Sequence, residues 1–130
     1  MYLFVCSVAR LRSRTAELLC LFGGVDARCA GVSDAAHYPI NDNLLRTADM
    51  VFCMEPEHKK ALKEYSHYDP DKTFVLNLED DYERLEPSLV KHLVRKMENL
   101  NPELAQKMQN GYELLKENPS FLKELGTYER

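Results

Sequence analysis

A short apolar run from Tyr2 to Val5 leads directly into a loop that begins with Cys6 and ends with Arg12. A continuous apolar run of this length predicts a β-strand that is buried on both faces of a parallel sheet. Ser13, which follows the loop, is a typical N-cap residue, and apolar residues then recur at helical spacing as far as Gly23. The chain therefore starts as strand, tight loop and helix, which favours a fold in which strands and helices alternate.

The rest of the chain repeats that alternation. Three further strands are predicted over residues 25–29, 50–54 and 73–76, and a short helix is predicted over 42–47. Longer helices are predicted to start at prolines, which suit the first helical position: Pro56, Pro87, Pro102 and Pro119. The pattern predicts an α/β fold with a four-stranded, parallel, doubly wound sheet flanked by helices. At 130 residues, 1–130 is predicted to be one domain, with 101–130 as a C-terminal helical extension.

The loop between the first strand and the first helix is suited to binding an anion. Five residues separate Cys6 from Arg12, enough for the backbone to curl around a tetrahedral oxyanion with its N–H groups inward. The helix N-terminus adds donors and positive potential, and the Arg12 guanidinium can bind two phosphate oxygens. The same environment predicts that Cys6 ionises well below its usual pKa of about 8.5. The predicted phosphate-binding residues between Cys6 and Arg12 are Ser7, Val8, Ala9, Arg10 and Leu11.

Composition excludes several classes of function. The net charge is −4 and the basic residues form no runs, so no nucleic-acid partner is expected. No apolar stretch approaches the ~18 residues of a membrane span, and the N-terminus does not resemble a signal peptide. The four cysteines have no paired spacing, which predicts a reducing, cytoplasmic location. The histidines lack metal-ligand spacing, so neither a metal nor a cofactor is expected.

Several stretches resemble one known family in order along the chain. They are residues 3–13, which include Cys6 and Arg12, and residues 15–17, 25–31, 48–55 and 79–82. Together they resemble the low-molecular-weight protein tyrosine phosphatases, especially their short bacterial branch. The resemblance implies that the substrate is a phosphotyrosine-containing protein or a small aryl phosphate. Cys6 would attack its phosphorus and form a cysteinyl-phosphate. The sequence does not indicate the physiological substrate or the oligomeric state.

The resemblance also implies a general acid. A phenolate leaving group, with a pKa near 10, departs more easily when it is protonated. The acidic loop after the fourth predicted strand matches the family's acid loop, so Asp80 takes the place of the acid and Asp81 is a close second. Tyr82 takes the place of an aromatic residue that lines the substrate slot. Ser13 has two compatible predicted roles, as N-cap and as a hydroxyl that stabilises the Cys6 thiolate.

Departures from the family pattern leave other functions open. Val8-Ala9 stands where the family has Gly-Asn, and alanine in a left-handed conformation costs about 1 kcal/mol. Cys29 corresponds to a serine that helps to hold the loop, so both ends of that hydrogen-bond network are expected to be missing. Arg14 and Arg10 are expected either to bind an acidic phosphopeptide or to form a solvated rim. A phosphate-binding protein with little turnover is therefore one alternative, and an arsenate reductase that relays a disulfide is another.

Overall fold

A computed structural model describes residues 1–126, in which one parallel sheet carries helices on both faces. The four strands are β1 Tyr2–Cys6, β2 Ala27–Gly31, β3 Met50–Cys53 and β4 Thr73–Val75. The six helices among these residues are α1 Arg12–Phe22, α2 Asp42–Thr47, α3 Pro56–Leu62, α4 Pro87–Leu100, α5 Pro102–Lys116 and α6 Pro119–Gly126. The predicted α/β architecture is confirmed, with strand ends displaced by one or two residues. Such displacements are usual where helices and strands fray.

The strand order β2-β1-β3-β4 places β1 inside the sheet. All pairings are parallel, and β1 pairs with β2 on one side and with β3 on the other. Phe4 and Leu3 are both fully buried because they contribute to separate apolar cores on opposite faces of the sheet. The chain adds β2 on one side of β1 and then β3 on the other, so the switch point lies at the carboxyl end of β1. Open α/β sheets bind ligands at such points.

Helix α5 packs against α1 and α4 and contributes to the same core as β1. Gly111 permits this packing, since a Cβ there would lie 2.0 Å from the backbone oxygen of Leu19 in α1. The predicted C-terminal extension, 101–130, includes residues 127–130, which lie outside the described residues, and the single-domain assignment stays a prediction. No helix in the described part of the chain is long and apolar enough to cross a membrane.

Candidate active site

Cys6 is the last residue of β1 and is 3% exposed. Its Sγ lies 2.8 Å from the Ser13 hydroxyl and accepts a hydrogen bond from the Ala9 amide at 3.2 Å. The predicted contact of Ser13 with the sulfur is therefore present, whereas its predicted N-cap role is wrong. Helix α1 starts two residues earlier than that role requires, with Leu11 at the N-cap, which makes no side-chain capping bond. Ser13 is fully buried within the first turn, where its hydroxyl is directed to Cys6 rather than to a helical amide.

The loop carbonyls are bonded to neighbouring segments of the chain. The Ser7 oxygen accepts a hydrogen bond from the amide of Ser33 at 2.9 Å, and the Val8 oxygen accepts one from the amide of His37 at 3.1 Å. Both donors belong to the long loop that follows β2. Because the carbonyls are held by the surrounding protein, the loop is fixed from outside. This arrangement is compatible with amides that face a bound anion.

A cavity of about 60 Å³ opens over the sulfur. It is lined by Cys6, Ser7, Val8, Leu11, Arg12 and Asp80. The structure thus brings together both ends of the predicted loop and one carboxylate of the predicted acid loop, 74 positions after Cys6. Ala9 and Arg10 are not among the lining residues, although the Ala9 amide donates to the sulfur.

Asp81 and Tyr82 line a neighbouring hollow that shares Leu11 and Asp80 with the cavity over the sulfur. The Tyr82 hydroxyl lies 2.8 Å from His92 Nδ1 on α4, and the ring packs against the core. Tyr82 therefore does not line the cavity at Cys6 itself. Of the two candidate acids, the geometry favours Asp80, whose carboxylate is also exposed to solvent.

Arg12 is buried, 2% exposed, and its guanidinium is held by two acceptors. Its Nη1 donates to Glu55 Oε2 at 2.7 Å and to the Leu78 carbonyl at 2.6 Å. Its Nε lies 3.7 Å from Asp80 Oδ1. A buried cation with two acceptors on one terminal nitrogen is oriented before any ligand arrives. Glu55 follows β3 and Leu78 follows β4, two adjacent strands of the sheet, so the fold itself supplies both acceptors.

Ala9 has the left-handed conformation that its place in the loop requires, with φ of 60°. Ala9 is 1% exposed, and its methyl group cannot make the side-chain hydrogen bonds that an asparagine amide would make. This confirms the sequence-based expectation of strain, which is worth about 1 kcal/mol for an L-residue other than glycine or asparagine.

Cys29, which takes the place of the serine in the hydrogen-bond network that the resemblance implies, makes different contacts. The Cys29 amide donates to Glu17 Oε2 at 2.9 Å, and its Sγ lies 3.4 Å from Glu17 Oε1 and 4.0 Å from the Ala9 carbonyl. Burial, with Glu17 nearby, raises the pKa of the Cys29 thiol. Arg14 forms an ion pair with Glu17, and neither predicted role of Arg14 at the rim is tested by this contact. A buried carboxylate on α1 therefore connects β2 to the base of the loop.

The predicted acid loop is attached to the loop from Cys6 to Arg12 just beyond its carboxylates. Arg84 Nε donates to the Arg10 carbonyl at 2.7 Å. The amide of Leu85 donates to the hydroxyl of Thr15 on α1 at 2.9 Å. These bonds fix the end of the acid loop close to Cys6 and leave Asp80 itself exposed.

Sequence reasoning missed Glu55 and His58, which form a capping box at the start of α3. His58 is 1% exposed, and its Nε2 lies 3.0 Å from the Ser7 hydroxyl. The sequence did indicate a helix start at Glu55-Pro56, at the carboxyl end of a strand. That position was a signal for a site residue, but only the assembled sheet shows that α3 begins beside the loop.

The remaining cysteines, Cys20 and Cys53, are fully buried on opposite faces of the sheet. Burial raises the pKa of each thiol to about 12. Neither sulfur lines the cavity at Cys6. Their positions give no support to a disulfide relay of the kind that an arsenate reductase needs.

The fold is that of the low-molecular-weight protein tyrosine phosphatases. The arginine phosphatase YwlE of Bacillus subtilis is 21% identical, over 92% of this chain and 98% of that one, with a TM-score of 0.53. The tyrosine phosphatase AmsI of Erwinia amylovora is 18% identical over 84% and 90%, with a TM-score of 0.59. The tyrosine phosphatase Wzb of Escherichia coli K30, crystallised with phosphate, is 18% identical over 82% and 90%, with a TM-score of 0.58. No protein-family model and no curated protein sequence matches the chain.

Proposed function

We propose that the protein is a cysteine-dependent phosphatase that hydrolyses phosphotyrosine. The observation that carries the proposal is the position of Cys6 Sγ, which lies in hydrogen-bond contact with Ser13 and the Ala9 amide, beneath a cavity that Arg12 also lines. A sulfur nucleophile, an inward amide and a fixed guanidinium around one small cavity suit in-line attack on a phosphoryl group.

In the proposed reaction the Cys6 thiolate attacks phosphorus as the bond from phosphorus to the phenolic oxygen breaks. Asp80 donates its proton to the departing oxygen, and Arg12 binds phosphoryl oxygens through Nε and Nη2. Asp80 then takes a proton from water as the water attacks the cysteinyl-phosphate. The sulfur–phosphorus bond breaks, and the Ser13 hydroxyl stabilises the thiolate that leaves.

The test is hydrolysis of phenyl phosphate and of p-nitrophenyl phosphate by the wild type and by Cys6→Ser, Asp80→Asn and Asp81→Asn variants. Cys6→Ser is expected to abolish turnover, and Asp80→Asn to lower kcat by about 10²- to 10⁴-fold with phenyl phosphate. The loss should be smaller with p-nitrophenyl phosphate, whose more acidic phenol needs less protonation. Asp81→Asn is the matched control and should change kcat less than threefold or so. Activity retained by Cys6→Ser would contradict the proposal.

The substrate class needs a separate comparison because the fold also occurs in an arginine phosphatase. Peptides that carry phosphotyrosine or phosphoarginine at one position should be hydrolysed with different kcat/KM values, and the proposal expects phosphotyrosine to be preferred. A preference for phosphoarginine would be consistent with the cysteinyl-phosphate intermediate, but the leaving group would be a guanidine nitrogen rather than a phenolic oxygen.

A second function is favoured by one observation, the strained Ala9 at φ of 60°. A loop that lacks a side-chain tie at this position can still bind phosphate while catalysing poorly. Measurable phosphate binding without hydrolysis of any of these substrates would support this alternative.

A further inference from the structure

Ser7 lines the cavity over Cys6, and its hydroxyl lies 3.0 Å from His58 Nε2. A role for this hydroxyl in binding the phosphoryl group rests on the proposed function. The anion binding expected from backbone N–H groups of the loop does not involve this side chain, so a side-chain donor at the position after the nucleophile is a separate element.

The tautomer of His58 follows from its hydrogen bonds. The Glu55 amide lies 3.0 Å from His58 Nδ1, and an amide can only donate, so Nδ1 must carry a lone pair. In the neutral ring the proton is then on Nε2, which lies 3.0 Å from Ser7 Oγ. Burial, and then Arg12, lower the pKa of His58, so the ring is neutral at physiological pH.

This tautomer determines what the serine can do. Nε2–H donates to Ser7 Oγ, and the serine therefore keeps its own proton for another acceptor. Among residues 1–126, the hydroxyl of Ser7 has no second hydrogen-bond partner. The same tautomer excludes His58 as a base that activates Ser7 as a nucleophile, because the nitrogen that faces the hydroxyl is protonated.

The position of His58 is fixed from both ends. It is the third residue of α3, and the reciprocal capping box with Glu55 sets the orientation of its ring. Glu55 also binds Arg12 through Oε2. One helix start therefore holds both ends of the phosphate-binding loop, Ser7 through the imidazole and Arg12 through the carboxylate.

We propose that the Ser7 hydroxyl donates a hydrogen bond to a phosphoryl oxygen, and that His58 is the positioning residue that directs it there. A hydrogen bond to a charged phosphate supplements the loop amides and the guanidinium. It strengthens the site in a chain whose loop contains strained Ala9 in place of a residue with a side-chain tie.

The test is a double-mutant cycle with Ser7→Ala, His58→Gln and the double variant, and with Ser7→Thr as the conservative replacement. Binding of orthovanadate is measured by calorimetry, and kcat and KM are measured with p-nitrophenyl phosphate. Ser7→Ala is expected to weaken vanadate binding and to lower kcat/KM by about 10- to 100-fold. Ser7→Thr should restore most of the loss. The double variant should be no worse than Ser7→Ala, because His58 acts through the serine.

Ser120→Ala and His67→Gln, at exposed positions on α6 and after α3, are the matched controls and should leave both measurements unchanged. Near-wild-type vanadate binding by folded Ser7→Ala, or losses that multiply in the double variant, would overturn the inference. Vanadate binding separates this inference from the proposed function. A wild type that binds vanadate but does not turn over refutes the function alone, and a wild type that does not bind vanadate refutes both.

Discussion

Removal of the Glu55 carboxylate is expected to destabilise the protein through the buried Arg12. In Glu55→Ala the guanidinium, which is 2% exposed, loses its 2.7 Å hydrogen bond to a carboxylate. Loss of a hydrogen bond between charged groups costs about 2 kcal/mol, and loss of the N-cap of α3 adds about 1 kcal/mol. The expected decrease in the free energy of unfolding is therefore about 3 kcal/mol. With an unfolding entropy of about 2.1 cal/mol/K per residue, this corresponds to a Tm lower by about 11 °C.

The assay is thermal unfolding of the wild type, Glu55→Ala, Glu55→Gln and Glu57→Ala, each with and without inorganic phosphate. Glu55→Gln keeps an acceptor for the cap and loses the charge, so its Tm should fall by only about 4 °C. Glu57 is exposed in the same helical turn, and its replacement should change the Tm by less than about 2 °C. Saturating phosphate should reduce the deficit of Glu55→Ala, because the anion supplies a new partner for the guanidinium.

A Glu55→Ala variant that unfolds within about 2 °C of the wild type would refute this reasoning. It would mean that Leu78 and solvent satisfy Arg12 without the carboxylate. A deficit that phosphate does not reduce would show that the loss comes from the helix cap rather than from the guanidinium.

Three further predictions concern packing, pH and thiol reactivity. Gly111→Ala should destabilise the protein by at least about 2 kcal/mol, because the new Cβ would lie 2.0 Å from a backbone oxygen. Glycine to alanine normally stabilises a helix, so an unchanged Tm would contradict this prediction. The free energy of unfolding of the wild type should decrease as the pH falls below the ordinary histidine pKa of about 6.5, because the pKa of His58 is lowered in the folded state. In denaturant titrations, the free energy of unfolding of His58→Gln should depend less on pH. Iodoacetamide should modify Cys6 well before Cys20 and Cys53, whose thiol pKa values are raised to about 12. Bound vanadate should slow the modification of Cys6. Equal labelling of the three cysteines, measured by mass spectrometry, would contradict the proposed nucleophile.

Local sequence signals specify the order and type of the helices and strands. Hydrophobic periodicity, prolines at helix starts and the glycines after the first helix are local signals, and they act within a few residues of the element that they specify. The loop from Cys6 to Arg12 is also a local signal, and the resemblance to the family implied the left-handed conformation at Ala9, whose φ is 60°.

The groups that reach this loop from distant parts of the chain depend on the tertiary fold. Glu55 and His58 reach Arg12 and Ser7 because β3 pairs with β1 and so places the start of α3 at the carboxyl edge of the sheet. The position of Asp80 at the cavity over Cys6 depends likewise on how the loop after β4 is attached. Such contacts join residues more than 40 positions apart, and chain periodicity carries no information on them. They follow from strand order and packing, which is why Glu55 and His58 were not identified from the sequence.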